Sequence, residues 1–145
     1  MDDLREKINE LLFNYIDALN TLDADRFANN FCEDGVWEVS GLFTKVGRDQ
    51  IRETMGPAAR TYKWIFQLVH QFHILERTET TAKVRAYVTE VGNKAGSGHF
   101  FLAAYSDRCR LENGVWRFEH RLCDILYRGP SDLTAAPWAY PAPKR

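Results

Sequence analysis

The chain of 145 residues has little of what marks several common protein classes. Its three cysteines, Cys32, Cys109 and Cys123, are odd in number and have no CxxC spacing, which favours buried thiols of a cytoplasmic protein over disulfides or a zinc site. No apolar run approaches the roughly 18 residues that a membrane-spanning helix needs. The polar, acidic N-terminus does not resemble a secretory signal. We therefore expect a cytoplasmic protein with no membrane partner.

Neither sign of charge is in excess, because 19 basic residues face 20 acidic ones. Nucleic-acid binding depends on a basic surplus, so we expect no nucleic-acid partner. The sequence also lacks glycine-rich phosphate-binding loops, a GxSxG elbow, and HExxH or HxH spacing. His99 and His120 stand alone in the sequence. From these absences we expect no bound metal and no nucleotide cofactor. We expect no cofactor of any other kind.

Hydrophobic residues make up 45% of the chain and aromatic residues 13%. A domain of this length buries about two-thirds of its unfolded surface, which is enough for a core and an internal pocket. We expect one domain over residues 1–128. A Pro- and Ala-rich tail over 129–145 should pack on the body or on a neighbouring subunit, with Trp138 and Tyr140 as interface residues.

Apolar residues at three- and four-residue steps from Leu4 to Leu22 predict an amphipathic helix of about 20 residues. Either Asp23 or Asp25 can cap a short second helix that carries Phe27 and Phe31. A third helix opens at 47–51, and Gly56-Pro57 should end or interrupt it.

The second half of the chain is rich in predicted strands. After a turn at 33–35, the expected strands are 36–39, 66–75, 81–91, 99–111 and 115–127, with a hairpin turn at Asn113-Gly114. Consecutive strands without helices between them pair antiparallel. Helices followed by strands predict an α+β domain with the helices on one face of the sheet.

The order of these elements resembles the SnoaL-like, nuclear transport factor 2-like superfamily from about Leu4 to Tyr127. The pattern rests on the segments 15–19, 22–23, 31–37, 47–51 and 114–118. The resemblance implies a curved antiparallel sheet rolled into a cone, closed by about three helices around a pocket. That fold hosts isomerases, dehydratases, hydrolases and non-catalytic subunits, so it does not define one function.

Three residues resemble the acid–base sites of scytalone dehydratase and hexachlorocyclohexane dehydrochlorinase. Asp23 and His70 match a carboxylate–histidine pair in those enzymes, and Arg121 matches a pocket arginine. The relatives carry Lys or Tyr on the first helix where this chain has Ala18. The resemblance implies that Asp23, His70 and Arg121 are catalytic.

Alternation along 66–75 places His70 on one face with Phe66, Leu68, Phe72 and Ile74. An imidazole on an apolar face needs a polar partner. If Asp23 accepts from one ring nitrogen, the other nitrogen can abstract a carbon-bound proton. The alternative roles are a core histidine bonded to a carbonyl and a helix-capping aspartate.

Arg121 can bind a substrate carboxylate or carbonyl, or stabilise negative charge on an enolate or leaving group. It can equally be a solvated residue or pair with a neighbouring acid, because the alternation in 115–127 leaves the inward face undecided. We expect the substrate pocket to be lined by aromatic residues, namely Tyr15, Trp37, Trp64, Phe66, Phe72, Tyr87, Phe101 and Tyr105.

The leading hypothesis is a cofactor-independent lyase or isomerase that favours dehydration or a related elimination in polyketide or aromatic metabolism. Its ligand is a small apolar cyclic or aromatic molecule. The alternative is a non-catalytic binding or assembly module resembling the small subunit of ring-hydroxylating dioxygenases. Because the outer sheet face of this architecture needs covering, we expect a homodimer or homotrimer.

Overall fold

The computed structural model describes residues 3–135, which form three helices and six strands. The elements in chain order are α1 Asp3–Asn20, α2 Ala24–Asn29, β1 Phe31–Val39, β2 Phe43–Val46, α3 Arg48–Thr61, β3 Tyr62–Arg77, β4 Thr81–Lys94, β5 Ser97–Glu112 and β6 Val115–Gly129. This arrangement confirms the α+β class. Within the described range, every helix is too short or too polar to cross a membrane.

The six strands form one curved, unclosed sheet in the order β2-β1-β6-β5-β4-β3. The last four strands pair antiparallel with their neighbours in the chain, as predicted. Asn113 and Gly114 both have positive φ, which the two-residue turn between β5 and β6 requires. β1 differs, because it pairs parallel with β6.

The helices pack on the inner face of this sheet. The apolar stripe of α1 is buried at Ile8, Leu12 and Tyr15, as its periodicity predicts. Asp23 is the N-cap of α2, and its carboxylate accepts a hydrogen bond from the backbone N–H of Arg26 at 3.1 Å. The three cysteines are buried free thiols, as the sequence predicts.

The start of β1 differs from the prediction. β1 begins at Phe31, so residues 33–35 lie inside a strand rather than in a turn. The β1–β6 pairing is irregular between Phe31 and Val36, and Gly35 fits there because a Cβ would lie 2.9 Å from the Cys32 carbonyl oxygen.

Helix α3 also continues through Pro57 to Thr61. Pro57 has no backbone N–H, so it cannot donate a hydrogen bond to the carbonyl of Glu53, four residues earlier. Glu53 and Pro57 are both exposed, so water can satisfy the freed carbonyl and the helix need not end.

The start of the C-terminal tail folds back on β6. The Tyr127 hydroxyl donates to the Pro130 carbonyl at 2.6 Å and accepts from the Ala135 N–H at 3.4 Å. Trp138 and Tyr140, the expected interface residues, lie outside the described residues.

Candidate active site

A cavity of about 210 Å³ lies between the inner face of the sheet and helices α1 and α3. Its lining is mostly apolar and comes from every strand. Four of the eight aromatic residues predicted to line the pocket do so, namely Tyr15, Trp37, Phe101 and Tyr105. The polar side chains of the lining are therefore the candidates for chemistry.

A histidine–carboxylate pair stands at one wall of this cavity. Glu90 lines the cavity, and its Oε1 lies 3.0 Å from His99 Nε2. Its second oxygen, Oε2, accepts from Gln67 Nε2 at 2.8 Å. A carboxylate in its ionised form only accepts hydrogen bonds, and His99 Nε2 is the donor to that form. Both oxygens of Glu90 are thus oriented by fixed donors.

Strand register explains why these side chains meet. Gln67 of β3 is directly opposite Glu90 of β4, and His99 of β5 is opposite Gly92. A Cβ on Gly92 would lie 3.0 Å from His99 Cε1 and 3.2 Å from the Trp64 carbonyl oxygen. Glycine at this position therefore leaves the space in which the imidazole reaches Glu90.

Two tyrosine hydroxyls adjoin the pair. The Tyr15 and Tyr105 hydroxyl oxygens are 3.2 Å apart, and Gln67 Nε2 donates to Tyr105 at 3.3 Å. Burial raises the pKa of Tyr15 and that of Tyr105, so both phenols are neutral at ordinary pH and can donate a hydrogen bond.

Arg121 lies behind these tyrosines and is only 1% exposed. Its guanidinium carbon is 4.1 Å from the ring centroid of Tyr15, 3.6 Å from that of Tyr105 and 4.3 Å from that of Phe118. The alternation left open by the sequence is now resolved, since Arg121 points inward. It does not line the cavity. We assign it to the support of the two phenols.

The partner of Arg121 is a neighbouring acid, one of the alternatives that the sequence left open. Arg121 Nε lies 3.2 Å from Asp107 Oδ1, and neither atom has a hydrogen bond of good geometry. Burial raises the pKa of Asp107 to about 7, although Arg121 acts in the opposite direction.

His70 does not face the cavity, which corrects the sequence-based placement. It is exposed, and its Nε2 lies 2.6 Å from the Thr89 hydroxyl oxygen. The cause is a β-bulge, since β3 pairs Val69 with Val88 but Gln71 with Tyr87, and His70 is the extra residue between them. His70 instead lines a separate depression on the surface.

The structure also does not bring His70 and Asp23 together. The Asp23 carboxylate bonds the Arg26 backbone, and the cavity lining does not include Asp23. Among the described residues, the carboxylate–histidine pair of the pocket is Glu90 with His99.

The other four aromatic residues predicted to line the pocket lie outside its lining. Phe66 and Trp64 point outward before the bulge and are 48% and 52% exposed, and Tyr87 of β4 is 49% exposed. Phe72 lies after the bulge and packs against the core, with the Arg5 guanidinium carbon 4.5 Å from its ring centroid. None of the four belongs to the cavity lining.

Although His99 and His120 stand alone in the sequence, each has a carboxylate partner in the fold. His120 Nε2 is 2.8 Å from Glu38 Oε2, and His99 bonds Glu90. Glu38 does not line the cavity, whereas Glu90 does. One signal could have identified Glu90, because the inward alternation of Ala82, Val84, Ala86 and Val88 continues to position 90.

Outside the cavity, Cys32, Asp34 and Glu112 place possible metal-ligand atoms within 4.8 Å of one another. Arg110 binds Asp34 at 2.8 Å, and Arg48 binds Glu112 at 2.9 Å. Burial raises the pKa of the Cys32 thiol to about 11. Because the carboxylates are already neutralised and the thiol stays protonated, this donor set does not suit a metal ion.

The fold and the cavity together define a class: an α+β domain whose curved sheet and helices enclose a space of ligand size. The chain matches the SnoaL-like domain over residues 3–122 and belongs to that family. No curated protein matches the sequence.

Solved structures share the fold over most of their length. A candidate aromatic ring hydroxylase from Novosphingobium aromaticivorans is 26% identical, with a TM-score of 0.78 over 85% of this chain and 89% of its own. A candidate scytalone dehydratase from the same organism is 19% identical, with a TM-score of 0.83 over 97% and 95%. A hexachlorocyclohexane dehydrochlorinase, LinA type 2, is 17% identical, with a TM-score of 0.80 over 97% and 94%.

Proposed function

We propose that this protein is a lyase or isomerase that needs no cofactor and uses Glu90 as its general base. A small apolar cyclic substrate enters the cavity with an acidic C–H bond near Glu90. The carboxylate takes the proton, and the electron pair moves toward a neighbouring carbonyl. In an elimination, a hydroxide or halide then leaves from the next carbon; in an isomerisation, the proton returns to another carbon.

The observation that carries this proposal is the state of Glu90. It is the one acid that lines the cavity among the described residues, and its side chain is only 12% exposed. Gln67 and His99 hold its two oxygens from opposite sides. A base that is oriented before the substrate arrives loses little entropy in the reaction. His99 does not line the cavity, so we assign it a positioning role.

The tyrosine pair supplies the complementary group. Tyr15 and Tyr105 both line the cavity, and because one neutral hydroxyl donates to the other, the second can donate to an enolate oxygen. Arg121 stacks on both rings, which favours negative charge at the hydroxyl end. Arg121 thus acts on the substrate through the two phenols and not by direct contact.

Similarity to known proteins supports the reaction class. The names of two similar structures, a candidate scytalone dehydratase and a hexachlorocyclohexane dehydrochlorinase, denote loss of water and of hydrogen chloride. Both are eliminations that begin with a proton on carbon, which is the step that a fixed carboxylate in an apolar cavity can catalyse.

The test is a set of single-ring carbonyl compounds that carry a hydroxyl or chlorine on the β-carbon. Proton NMR in D₂O follows both loss of the substituent and deuterium entry at the α-carbon. We expect turnover by the wild type and a loss of about 10²- to 10⁴-fold in Glu90→Gln, since the amide cannot accept the proton. His99→Gln should lose less, because it removes only an orienting bond.

His70→Gln is the matched control for His99→Gln, since it makes the same change on the outer face. It should leave turnover unchanged. Loss of turnover in His70→Gln with full activity in Glu90→Gln would contradict the proposal and point to His70 as the functional residue. Ligand binding without turnover or exchange across the set would support the non-catalytic alternative.

That alternative, a binding or assembly module, has its own observation. A structure named as an aromatic ring hydroxylase is 26% identical to this chain. Apolar side chains also cover the outer sheet face, at Phe66, Leu68 and Tyr87. We propose that this face is covered in a homodimer or homotrimer, which light scattering of the purified protein tests directly.

A further inference from the structure

Two cations stand at the mouth of the cavity. Lys94, the last residue of β4, and Arg128, near the end of β6, both belong to its lining. Within residues 3–135, neither has a carboxylate within ion-pair distance. Most of the other arginines on the strands have such a partner; Arg110, for example, pairs with Asp34 and Glu119. The mouth therefore presents positive charge that the protein itself does not neutralise.

The register places one of these cations on the same row as the base. Glu90 is opposite Phe101, and Phe101 is opposite Arg128. Directly opposed residues on neighbouring strands share a face, so Arg128 lies on the inner face across Phe101 from Glu90. Lys94 lies at the end of β4, and its ammonium nitrogen is 5.6 Å from the ring centroid of Tyr62.

Glu90 does not satisfy these cations, because its two oxygens already bond Gln67 and His99. Charged groups beside an apolar space are stabilised by an anion that enters it. The ligand is thus expected to bring a carboxylate to the mouth while its apolar body fills the cavity.

The volume limits the size of that body. A cavity of about 150 Å³ is known to hold benzene, so about 210 Å³ has room for one ring with short substituents. From charge and size together, we infer that the substrate is a single-ring organic acid whose carboxylate is bound by Lys94 and Arg128. This inference rests on the proposed function for its site and extends it to the substrate class.

The test is calorimetric titration with benzoate and with benzamide, which have nearly the same shape but differ in charge. The wild type should bind benzoate about tenfold or more tightly than benzamide. Arg128→Met should remove most of that preference, and Lys94→Met a smaller part, because Lys94 is more exposed. Lys63→Met is the matched control, since it loses the same charge on β3 outside the cavity lining.

Two further arms separate this inference from the proposed function. Glu90→Gln should bind benzoate more tightly, because it removes a negative charge on the far side of Phe101. Biphenyl-4-carboxylate should gain no affinity over benzoate, since the second ring has no space to enter. Raising the salt concentration should weaken benzoate binding and leave benzamide binding unchanged.

Equal affinity for benzoate and benzamide, or no heat from benzoate at about 10 mM, would overturn the inference. It would leave the proposed function standing if Glu90→Gln still abolishes turnover of neutral substrates. Conversely, the protein could prefer benzoate through Arg128 and yet catalyse no turnover. That result would support acid binding at the mouth of the cavity and contradict the proposed lyase activity.

Discussion

We predict that Asp107 makes the stability of the protein depend on pH and that Asp107→Asn removes this contribution. Its carboxyl is fully buried against Arg121, and both of its oxygens lack hydrogen bonds of good geometry. Burial raises its pKa from 3.8 to about 7. Between these two pKa values, the Asp107 carboxyl is therefore protonated in the folded state and ionised in the unfolded chain.

The sign and size follow from the two pKa values. Because the folded pKa is the higher one, the contribution of Asp107 is greatest below pH 4 and declines as the pH rises to 7. The separation of about three pKa units corresponds to about 4 kcal/mol, at about 1.4 kcal/mol for each unit. Above pH 7 both states are ionised, and the loss stays constant.

The assay is urea unfolding of both proteins at pH 5, 6, 7 and 8. The free energy of unfolding of the wild type, measured relative to Asp107→Asn, should fall by about 3 kcal/mol from pH 5 to pH 8, and mostly below pH 7. Asn resembles the protonated acid, so the free energies of unfolding of the two proteins should be most similar at pH 5. Asp49→Asn, whose side chain is 90% exposed, controls for losing one acid. Parallel wild-type and Asp107→Asn curves would refute the reasoning.

Three further predictions concern the fold around the site. Asp23→Ala should cost about 1 kcal/mol of stability through loss of the helix cap, seen in urea unfolding, without changing turnover. Gly92→Ala should displace the His99 ring and lower turnover, with about 1–3 kcal/mol lost in unfolding, because the new Cβ lies 3.0 Å from Cε1. The native protein should react slowly with a thiol reagent, and all its thiols should appear on denaturation, since burial raises the pKa of each cysteine, namely Cys32, Cys109 and Cys123.

Each of these has a contrary outcome. Lost turnover in a stable Asp23→Ala protein would make the aspartate part of the site. Full activity in Gly92→Ala would show that the position of His99 is not needed. Rapid labelling of a native cysteine would place that thiol at the surface.

The sequence predicted the architecture because its signals are local and repeated. The stripe on α1 extends over five turns, and the Asn113-Gly114 turn fixes the β5–β6 register. Two features escaped local patterns. β2 is only four residues long. β1 pairs parallel with β6 across about 85 positions of chain, so no local sequence pattern indicates the pairing.

The site was harder to predict because one inserted residue reverses every face after it. Alternation along 66–75 is regular in the sequence, yet the bulge at His70 divides it into outward Phe66 and Leu68 and inward Phe72 and Ile74. A bulge has no reliable mark in a single sequence. The sequence therefore predicts His70 on a continuous apolar face, whereas the bulge divides that face in the fold.

The chemistry of the pocket instead follows one row across the sheet, at Gln67, Glu90, Phe101 and Arg128. All four side chains line the cavity, so a substitution at any of them changes the hydrogen bonding, shape or charge of the cavity directly. Asp107 and Arg121 form a second, fully buried pair that backs the tyrosines. One fold can carry different functional groups at its inward positions, and here the histidine–carboxylate pair lies on β4 and β5 while His70 faces solvent.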